Sequence, residues 1–148
     1  SRGGDGDPDF RREAGVARVW LLRPPGAVTQ PGSVVDVVQR FNDAFNRHDV
    51  DAIMALMSDD CVFENTRPTP DGERVEGRQR VRAAWEQLFA RSPHAHFDTE
   101  EIFAAGDRCV VRWVYSWVKD GTRGHVRGVD VFRVRDGLVA EKLSYVKG

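Results

Sequence analysis

The sequence has few cysteines, no excess of either charge and no long apolar run, and each of these features excludes a class of protein. Cys61 and Cys109 are too few for a disulfide framework or a zinc site, so we expect two free thiols in a cytoplasmic protein. The 22 basic and 23 acidic residues give a net charge of −1, which predicts binding to neither nucleic acid nor a membrane surface. No apolar run could cross a bilayer, and the first residues show no signal-peptide pattern.

Residues 1–32 are rich in glycine, proline, aspartate and arginine. This composition leaves little to bury, so we expect a largely disordered leader, within which the apolar patch 15–22 could dock as an extra strand. The remaining residues, 33–148, are expected to form one domain with its own core. No cluster of His, Asp, Glu or Cys at ligand spacing shares a predicted face, so the sequence predicts no metal and no other cofactor.

Three stretches repeat apolar residues at the spacing of an α-helix. The first covers about 34–47, with Ser33 as its N-cap. The second covers 50–57 after a cap at Asp49, and the third covers about 77–90. These segments predict three N-terminal helices, each with one apolar side.

From residue 95 onward the apolar period changes to two, which is typical of β-strands. Strands are predicted at 95–103, 108–118, 125–134 and 138–146, after a short strand at 61–65. The turn sequences between them indicate an antiparallel meander. Helices followed by such a meander predict an α+β fold in which the helices pack on one face of the sheet.

The second long strand carries aromatic residues on one of its faces. Trp113, Tyr115 and Trp117 alternate along it, and they could form either core or the wall of an apolar cavity. The opposite face of the sheet carries Val110, Val114, Val118, Val129 and Val131. That face is too apolar for a wetted surface, so it predicts a homodimer packed sheet to sheet.

An acidic residue, Asp130, interrupts a valine-rich strand, where an unpaired buried carboxylate would be costly. A three-residue turn at 135–137 would place Lys142 opposite Asp130. In the same register Ser144 lies opposite Gly128, and all four residues face inward. A two-residue turn would instead place a leucine opposite Asp130, and we favour the first register. Paired with Lys142, Asp130 would stay ionised, whereas alone it would be a neutral proton donor.

The order of three helices, a short strand and a meander ending in DVFRVRDGLVAEK resembles the nuclear transport factor 2-like superfamily, and within it the SnoaL-like domains. The resemblance covers residues 33–148. It implies a cone-shaped α+β fold, with three N-terminal helices packed on a curved, mainly antiparallel β-sheet that encloses a pocket. The superfamily includes polyketide cyclases, ketosteroid isomerases, limonene epoxide hydrolases and non-catalytic binding or dimerisation modules, so the fold does not determine the chemistry.

Comparison with ketosteroid isomerases aligns Asp130 with the acid that donates a proton to the substrate oxyanion. Phe41 stands where those enzymes have an oxyanion tyrosine, so that hydroxyl is missing. Asn65 stands where they have the catalytic aspartate, and an amide cannot serve as a general base near neutral pH. The resemblance therefore does not imply steroid isomerisation.

Comparison with epoxide hydrolases matches Asn65 with the asparagine that helps to hold the attacking water. The family's arginine and first aspartate are replaced by Trp113 and Tyr115. Its second aspartate is replaced by Ser144, and its tyrosine by Phe63. Without the Asp–Arg–Asp relay, epoxide hydrolysis is not expected, but the matched positions all face the pocket in these relatives.

These comparisons together predict a site for a small apolar or aromatic molecule. Asp130 would be the acid or base of a cyclisation, isomerisation or dehydration, with Asn65 and Tyr115 as hydrogen-bonding residues that orient the substrate. The predicted substrate-binding residues are Phe41, Phe63, Trp85, Trp113, Trp117, Phe132, Lys142 and Ser144. Two alternatives remain: a non-catalytic binder in which Asp130 and Lys142 form a structural pair, and a dimerisation module.

Overall fold

A computed structural model describes residues 29–148. All but the last four residues of the predicted leader, 1–32, therefore lie outside the described residues. The elements in chain order are α1 Val34–Asn46, α2 Val50–Ala55, β1 Met57–Glu64, β2 Arg74–Glu76, α3 Arg78–Arg91, β3 Phe97–Ala105, β4 Arg108–Lys119, β5 Thr122–Arg135 and β6 Leu138–Val146. None of the described helices has the length and apolar character needed to span a membrane.

The strands form one six-stranded sheet in the order β2-β1-β6-β5-β4-β3. Strands β3 to β6 make the predicted antiparallel meander, because each pairs with the next along the chain. β1 joins the far side of β6 in a parallel pairing, and β2 pairs antiparallel with β1. The α+β class is confirmed, and the sheet is mixed but mainly antiparallel.

Side-chain caps fix the starts of the first two helices where the sequence predicts them. The Ser33 hydroxyl accepts a hydrogen bond of 3.1 Å from the Asp36 N–H, and the Asp36 carboxylate accepts one of 3.0 Å from the Gly32 N–H. The Asp49 carboxylate accepts a 3.0 Å hydrogen bond from the Ala52 N–H. Each cap satisfies helix N–H groups that have no partner within the helix.

Several boundaries differ from the sequence prediction, and β3 and β5 begin at Phe97 and Thr122 instead of residues 95 and 125. α2 ends at Ala55 and β1 already begins at Met57, four residues before the predicted strand 61–65. The second helix was predicted to include Met57, but Met57 pairs with Val139 of β6 and belongs to the strand, so sheet pairing overrides local propensity. The short edge strand β2 forms between the predicted strand 61–65 and the predicted helix 77–90, where the sequence predicts no strand.

The helices pack their apolar sides on the inner face of the sheet. Phe41, Trp85 and Phe132 are fully buried there. The ring of Phe41 meets both others in T-shaped contacts, with centroid distances of 6.1 Å to Trp85 and 5.5 Å to Phe132. Burial decreases along β4 toward its end, where Trp117 is 40% exposed. The sheet therefore extends past the helices that cover it.

The closing hairpin is built on a two-residue turn. Asp136 and Gly137 both have positive φ, 53° and 74°, which is the backbone of a type I′ turn. Arg135 therefore pairs directly with Leu138. The predicted three-residue turn at 135–137 is wrong.

A bulge in β6 changes the register beyond the turn. Ala140 has no partner on β5, because the residues on either side of it pair with consecutive residues there. Asp130 consequently lies opposite Ser144, so neither predicted partner, Lys142 nor a leucine, is correct. The shorter turn shifts the pairing by one residue, and the bulge shifts it by one more. Asp130, Lys142 and Ser144 therefore still share one face of the sheet, as predicted.

Candidate functional site

A cavity of about 90 Å³ lies between the helices and the inner face of the sheet. α1 and α3 contribute Phe45, Asn46 and Trp85 to its wall, while the sheet contributes strand residues from β1, β3, β4, β5 and β6. The aromatic part of the wall consists of Phe45, Phe63, Trp85, Phe97 and Trp113. These large rings make most of the wall surface apolar, although eight of the fifteen lining residues carry polar groups.

Three polar side chains on β5 and β6 form a connected group in this wall. The Ser144 hydroxyl donates a 2.7 Å hydrogen bond to Asp130 Oδ1. Lys142 Nζ donates a 2.9 Å hydrogen bond to Ser144 Oγ and lies 3.3 Å from Asp130 Oδ2. Lys142 reaches the carboxylate diagonally across the two strands, because Ser144 occupies the directly opposite position. Both carboxylate oxygens are thus held by donors, which is the environment of an ionised Asp130.

The ion pair is largely removed from solvent. The Lys142 and Asp130 side chains are 9% and 10% exposed. The Lys142 nitrogen lies between 5.1 and 6.0 Å from the centroids of four aromatic rings, close enough for cation–π attraction. Desolvation of both charges is offset only while both partners are present, because a lone buried charge is strongly destabilising.

Two tryptophans in the wall present buried N–H groups. The indole nitrogens of Trp85 and Trp113 are buried, and neither has a hydrogen-bond acceptor among residues 29–148. The Trp113 ring lies against its cross-strand partner Gly128, where an added Cβ would be 2.3 Å from the ring. Most buried donors in proteins have partners, so two orphan donors in one wall need an explanation.

Asparagines form part of the remaining polar wall. Asn46 of α1 binds both backbone groups of Phe97 at 3.0 Å and so fixes the start of β3. Asn65 follows β1, and its oxygen accepts a 2.7 Å hydrogen bond from the Thr66 N–H. The sequence indicated Asn65 but missed Asn42 and Asn46, both of which line the cavity. Their separation by four residues, on one side of α1, is the signal that could have identified them.

The family follows from a domain match and a similar structure. The model of the SnoaL-like domain matches residues 38–142. The chain belongs to the SnoaL-like family. A nuclear transport factor 2-like protein of unknown function from Mesorhizobium loti is 46% identical, covering 78% of this chain and 91% of its own, with a TM-score of 0.67. No curated protein matches the chain.

Two more distant structures share the fold alone. A hypothetical protein from Catenulispora acidiphila with a ketosteroid isomerase-like fold, in complex with trimethylamine, is 19% identical over 79% of this chain and 86% of its own, with a TM-score of 0.65. A proposed polyketide cyclase from Sinorhizobium meliloti is 23% identical over 74% of this chain and 93% of its own, with a TM-score of 0.61. At such identities the likeness gives architecture but not chemistry.

The SnoaL-like domain brings together seven of the eleven residues that the sequence singled out. Those that line the cavity are Phe63, Asn65, Trp85, Trp113, Asp130, Lys142 and Ser144. These residues come together because alternate side chains of β4, β5 and β6 face inward and because one side of α3 packs against them.

Four predicted site residues lie elsewhere in the SnoaL-like domain. Phe41 and Phe132 are fully buried in the core and do not line the cavity. Tyr115 stacks on Phe97, with ring centroids 4.9 Å apart, but does not line the cavity. Trp117 lines a separate surface groove together with Tyr115, because β4 extends beyond the helices. The alternation of residues along a strand predicts the face of the sheet on which a side chain lies. It does not predict how much of that face the helices cover.

The two thiols of the domain take no part in the cavity. Cys61 and Cys109 are buried, unpaired and absent from its wall. Burial raises the pKa of the Cys61 thiol, and burial raises that of Cys109 to about 11. Neither is therefore a reactive thiolate near neutral pH. Within residues 29–148, no three His, Cys, Asp or Glu side chains are grouped as metal ligands.

Proposed function

We propose that this SnoaL-like protein binds a small, largely apolar or aromatic molecule in the cavity and catalyses a proton transfer on it, with Asp130 as the acid/base group. The observation that carries the proposal is the buried Asp130–Lys142 pair in a mainly apolar wall. Buried ion pairs contribute little to stability compared with apolar packing, so stability alone is a weak reason for having one. Ionisable groups held in such a cavity are candidates for catalysis.

The contacts of Asp130 suit a general base. A carboxylate offers about four acceptor positions, and Ser144 and Lys142 occupy two of them. A remaining lone pair can take a proton from a bound carbon acid and return it to another carbon, which is an isomerisation, or initiate a cyclisation or dehydration. The Asn65 amide would donate a hydrogen bond to the substrate, since its oxygen is already used. Tyr115 would support Phe97 from outside the wall.

A neutral ligand fits this wall better than a cation. The Catenulispora acidiphila protein is in complex with trimethylamine, and ammonium groups bind well among aromatic rings. In this chain the Lys142 ammonium already lies 5.1 Å from the Phe63 centroid and 5.7 Å from that of Trp85. Because Asp130 neutralises this ammonium, the wall offers a second cation no net attraction.

Deuterium exchange tests catalysis without knowledge of the natural substrate. Small carbon acids, such as cyclic ketones and nitroalkanes, are incubated with the protein in deuterium oxide and followed by proton NMR. We expect the protein to accelerate exchange, and Asp130→Asn to abolish the acceleration because an amide cannot accept the proton. Ser144→Ala, which keeps the carboxylate, should retain part of it.

The second candidate is a non-catalytic binder in which Asp130 and Lys142 form a structural pair. This alternative is favoured because both oxygens of the Asp130 carboxylate already have partners, Ser144 and Lys142. Binding of these compounds without any acceleration of exchange, or exchange unaffected by Asp130→Asn, would contradict the proposed catalysis and support this alternative.

A homodimer through the outer face of the sheet is also proposed. An apolar row crosses four strands on that face and consists of Phe103, Val110, Val131 and Leu143. Phe103 is 49% exposed. Ion pairs flank the row on both sides, Arg112–Glu101 and Arg108–Glu141. An apolar centre with a charged rim is the usual composition of a protein–protein interface.

A further inference from the structure

Strand β4 continues past the start of its neighbour β3. β3 begins at Phe97, which pairs with Tyr115, whereas β4 runs four residues further, to Lys119. On its other side β4 stays paired with β5 to the end, since Lys119 lies opposite Thr122. Within residues 29–148, the last four residues of β4 therefore form a strand edge with no strand beside it.

The chain that precedes β3 turns away from this edge. The Ala95 N–H donates a 3.0 Å hydrogen bond to the Ser92 carbonyl oxygen, which closes a turn. The His48 ring is hydrogen-bonded at 2.6 Å to the Ala95 carbonyl oxygen, and Ala95 is buried. These contacts hold the turn close to the end of α1. They leave a surface groove between the turn and the last residues of β4.

The backbone of this edge is arranged to accept a further strand. Asp120 and Gly121 have positive φ, 51° and 75°, which is the backbone of a two-residue turn. The residues next to such a turn exchange both backbone hydrogen bonds, as does every second residue beyond them. Ser116 and Val118 are the intervening residues. Their N–H and C=O groups therefore point away from β5, toward the groove that both residues line, and such an edge is a template for another strand.

The groove carries basic groups of one sign. None of its described lining residues is acidic, and the basic ones are Arg91, His94, Arg123, His125 and Arg127. Arg127 is paired with Glu100 at 3.0 Å. Arg91 and Arg123 form no ion pair with any of residues 29–148. These two guanidinium groups are therefore available to the carboxylates of a partner.

The two faces of the edge have different chemistry. Ser116 lies opposite His125, and Val118 lies opposite Arg123, so these four residues share one face of the sheet. Trp117 lies on the other face and is 40% exposed. A strand added in line with β3 would place alternate residues on the basic face and the residue between them beside the indole ring.

We infer that the end of β4 binds an extended segment of a partner protein in which acidic and apolar residues alternate, and that this segment adds to the sheet as a strand antiparallel to β4. A second copy of this chain is disfavoured, because pairing of the two edges would bring the same basic residues together. The groove shares no lining residue with the cavity, so the inference does not depend on the proposed function.

Single-stranded nucleic acid satisfies this edge less well than a peptide does. Its phosphates can accept hydrogen bonds from arginine. They cannot donate to the C=O groups of Ser116 and Val118, whereas the N–H groups of a peptide can.

Two methylated forms of one peptide test the addition of a strand. Antiparallel to residues 116–119, acetyl-Val-Glu-Val-Glu-amide places its glutamates opposite Val118 and Ser116. The glutamate N–H groups then point at β4, and the valine N–H groups point away. N-methylation of both glutamates removes the donors that the edge needs, and N-methylation of both valines is the matched control. Each peptide is titrated into the full isotopically labelled chain and followed by heteronuclear NMR.

We expect the unmethylated peptide to bind and to slow hydrogen exchange of the Ser116 and Val118 amides, which contacts with side chains alone would leave exposed. Methylation of the glutamates should weaken binding about tenfold or more, because two hydrogen bonds are lost. Methylation of the valines should change the affinity by less than about twofold.

A pair of charge variants tests the role of the basic residues. Arg123→Glu should weaken binding about fivefold, because it places a negative charge beside the acidic peptide. Arg80→Glu makes the same change at an exposed position in the first turn of α3, outside the groove. Arg80→Glu should leave the affinity within about twofold of the parent.

Each alternative gives a different result. Equal affinities of the two methylated peptides would overturn strand addition, and a loss caused only by methylation of the valines would overturn the antiparallel register. Binding of a short oligothymidylate as tightly as the peptide would overturn the choice of a protein partner. If the unmethylated peptide does not bind, the inference is wrong and the basic residues only protect the edge from pairing with other copies. If Arg123→Glu does not fold, the methylated peptides still decide with the unmodified protein.

Discussion

Lys142 connects the charged and the aromatic parts of the cavity wall. Its nitrogen lies 3.3 Å from Asp130 Oδ2 and within 6.0 Å of the Phe132 centroid. Lys142→Met should lower the free energy of unfolding by about 3–5 kcal/mol, because it leaves a buried carboxylate without its counter-ion. Asp130→Asn should cost a similar amount by stranding the ammonium. Urea denaturation followed by circular dichroism measures both.

The double variant of this pair provides the control. Asp130→Asn combined with Lys142→Met removes both charges, and it should recover most of the loss because no buried charge remains unpaired. Single variants as stable as the parent would show that the pair does not lie in a low-dielectric environment.

Because Cys109 is buried, the free energy of unfolding is expected to vary with pH in the alkaline range. Its thiol pKa rises from 9.0 to about 11 in the folded protein. Between these values the unfolded chain has lost the proton that the folded chain retains, so the free energy of unfolding falls as pH rises, by at most about 1.4 kcal/mol per pH unit from this group. Cys109→Ala should flatten the decline between about pH 9 and about pH 11. Identical slopes for the variant and the parent in urea denaturation would contradict this.

The sequence predicted that Asp130 and Lys142 form an ion pair, but it did not predict their register across the two strands. Asp130 was expected to face inward beside Lys142, and the two are 3.3 Å apart. Their register was wrong because the turn has two residues instead of three, and because the bulge at Ala140 carries no mark in the sequence: no glycine or proline stands there. The sequence also could not show that the indole N–H groups of Trp85 and Trp113 lack acceptors, because this depends on the packing of the wall and not on the residue type.

At the scale of elements, glycines allow β4 and β5 to carry large aromatic rings. Gly128 lies opposite Trp113, and a Cβ there would be 2.3 Å from both the Trp113 ring and the Tyr145 carbonyl oxygen. Gly128→Ala should therefore lower the free energy of unfolding by about 1–3 kcal/mol, because the backbone of β6 cannot move aside without breaking its pairing. Thermal and urea denaturation measure the loss.

Gly124→Ala is the matched control on the same strand. The three atoms nearest to a Cβ there all belong to the Trp117 side chain, the closest at 2.6 Å. Trp117 is 40% exposed and can rotate into solvent, so the loss should be clearly smaller than at Gly128. Equal losses at both positions would contradict the steric explanation.

The elements with a strong periodic pattern were predicted well, whereas the bounds of the others depend on pairing with distant strands. α1 and β6 match their predicted spans to within a residue, because each has a clear apolar period and a sharp terminus. The start of β1 and the strand β2 were missed because their hydrogen-bond partners come from distant parts of the chain. Such pairings are tertiary, and a local window of sequence cannot contain them.

At the scale of the whole molecule, the apolar row on the outer face predicts a dimer. Val131→Lys puts a charge at the centre of the row, and we expect it to convert a dimer into a monomer, because a buried lysine without a partner opposes association. Light scattering coupled to size-exclusion chromatography gives the mass. Gln87→Lys adds the same charge to an exposed position of α3, on the opposite side of the sheet, and should leave the dimer intact. A monomeric parent protein would overturn the proposed dimer.

Strand β6 lies between β1 and β5 and is hydrogen-bonded to both. Its parallel partner, β1, is far away in sequence, so a long loop must close before that pairing forms, and such non-local contacts are slow to form. The β5–β6 hairpin, by contrast, closes through a two-residue turn and brings Ser144 and Lys142 beside Asp130 without any contribution from β1. We therefore expect the carboxylate to gain its partners in the local hairpin before β1 completes the sheet.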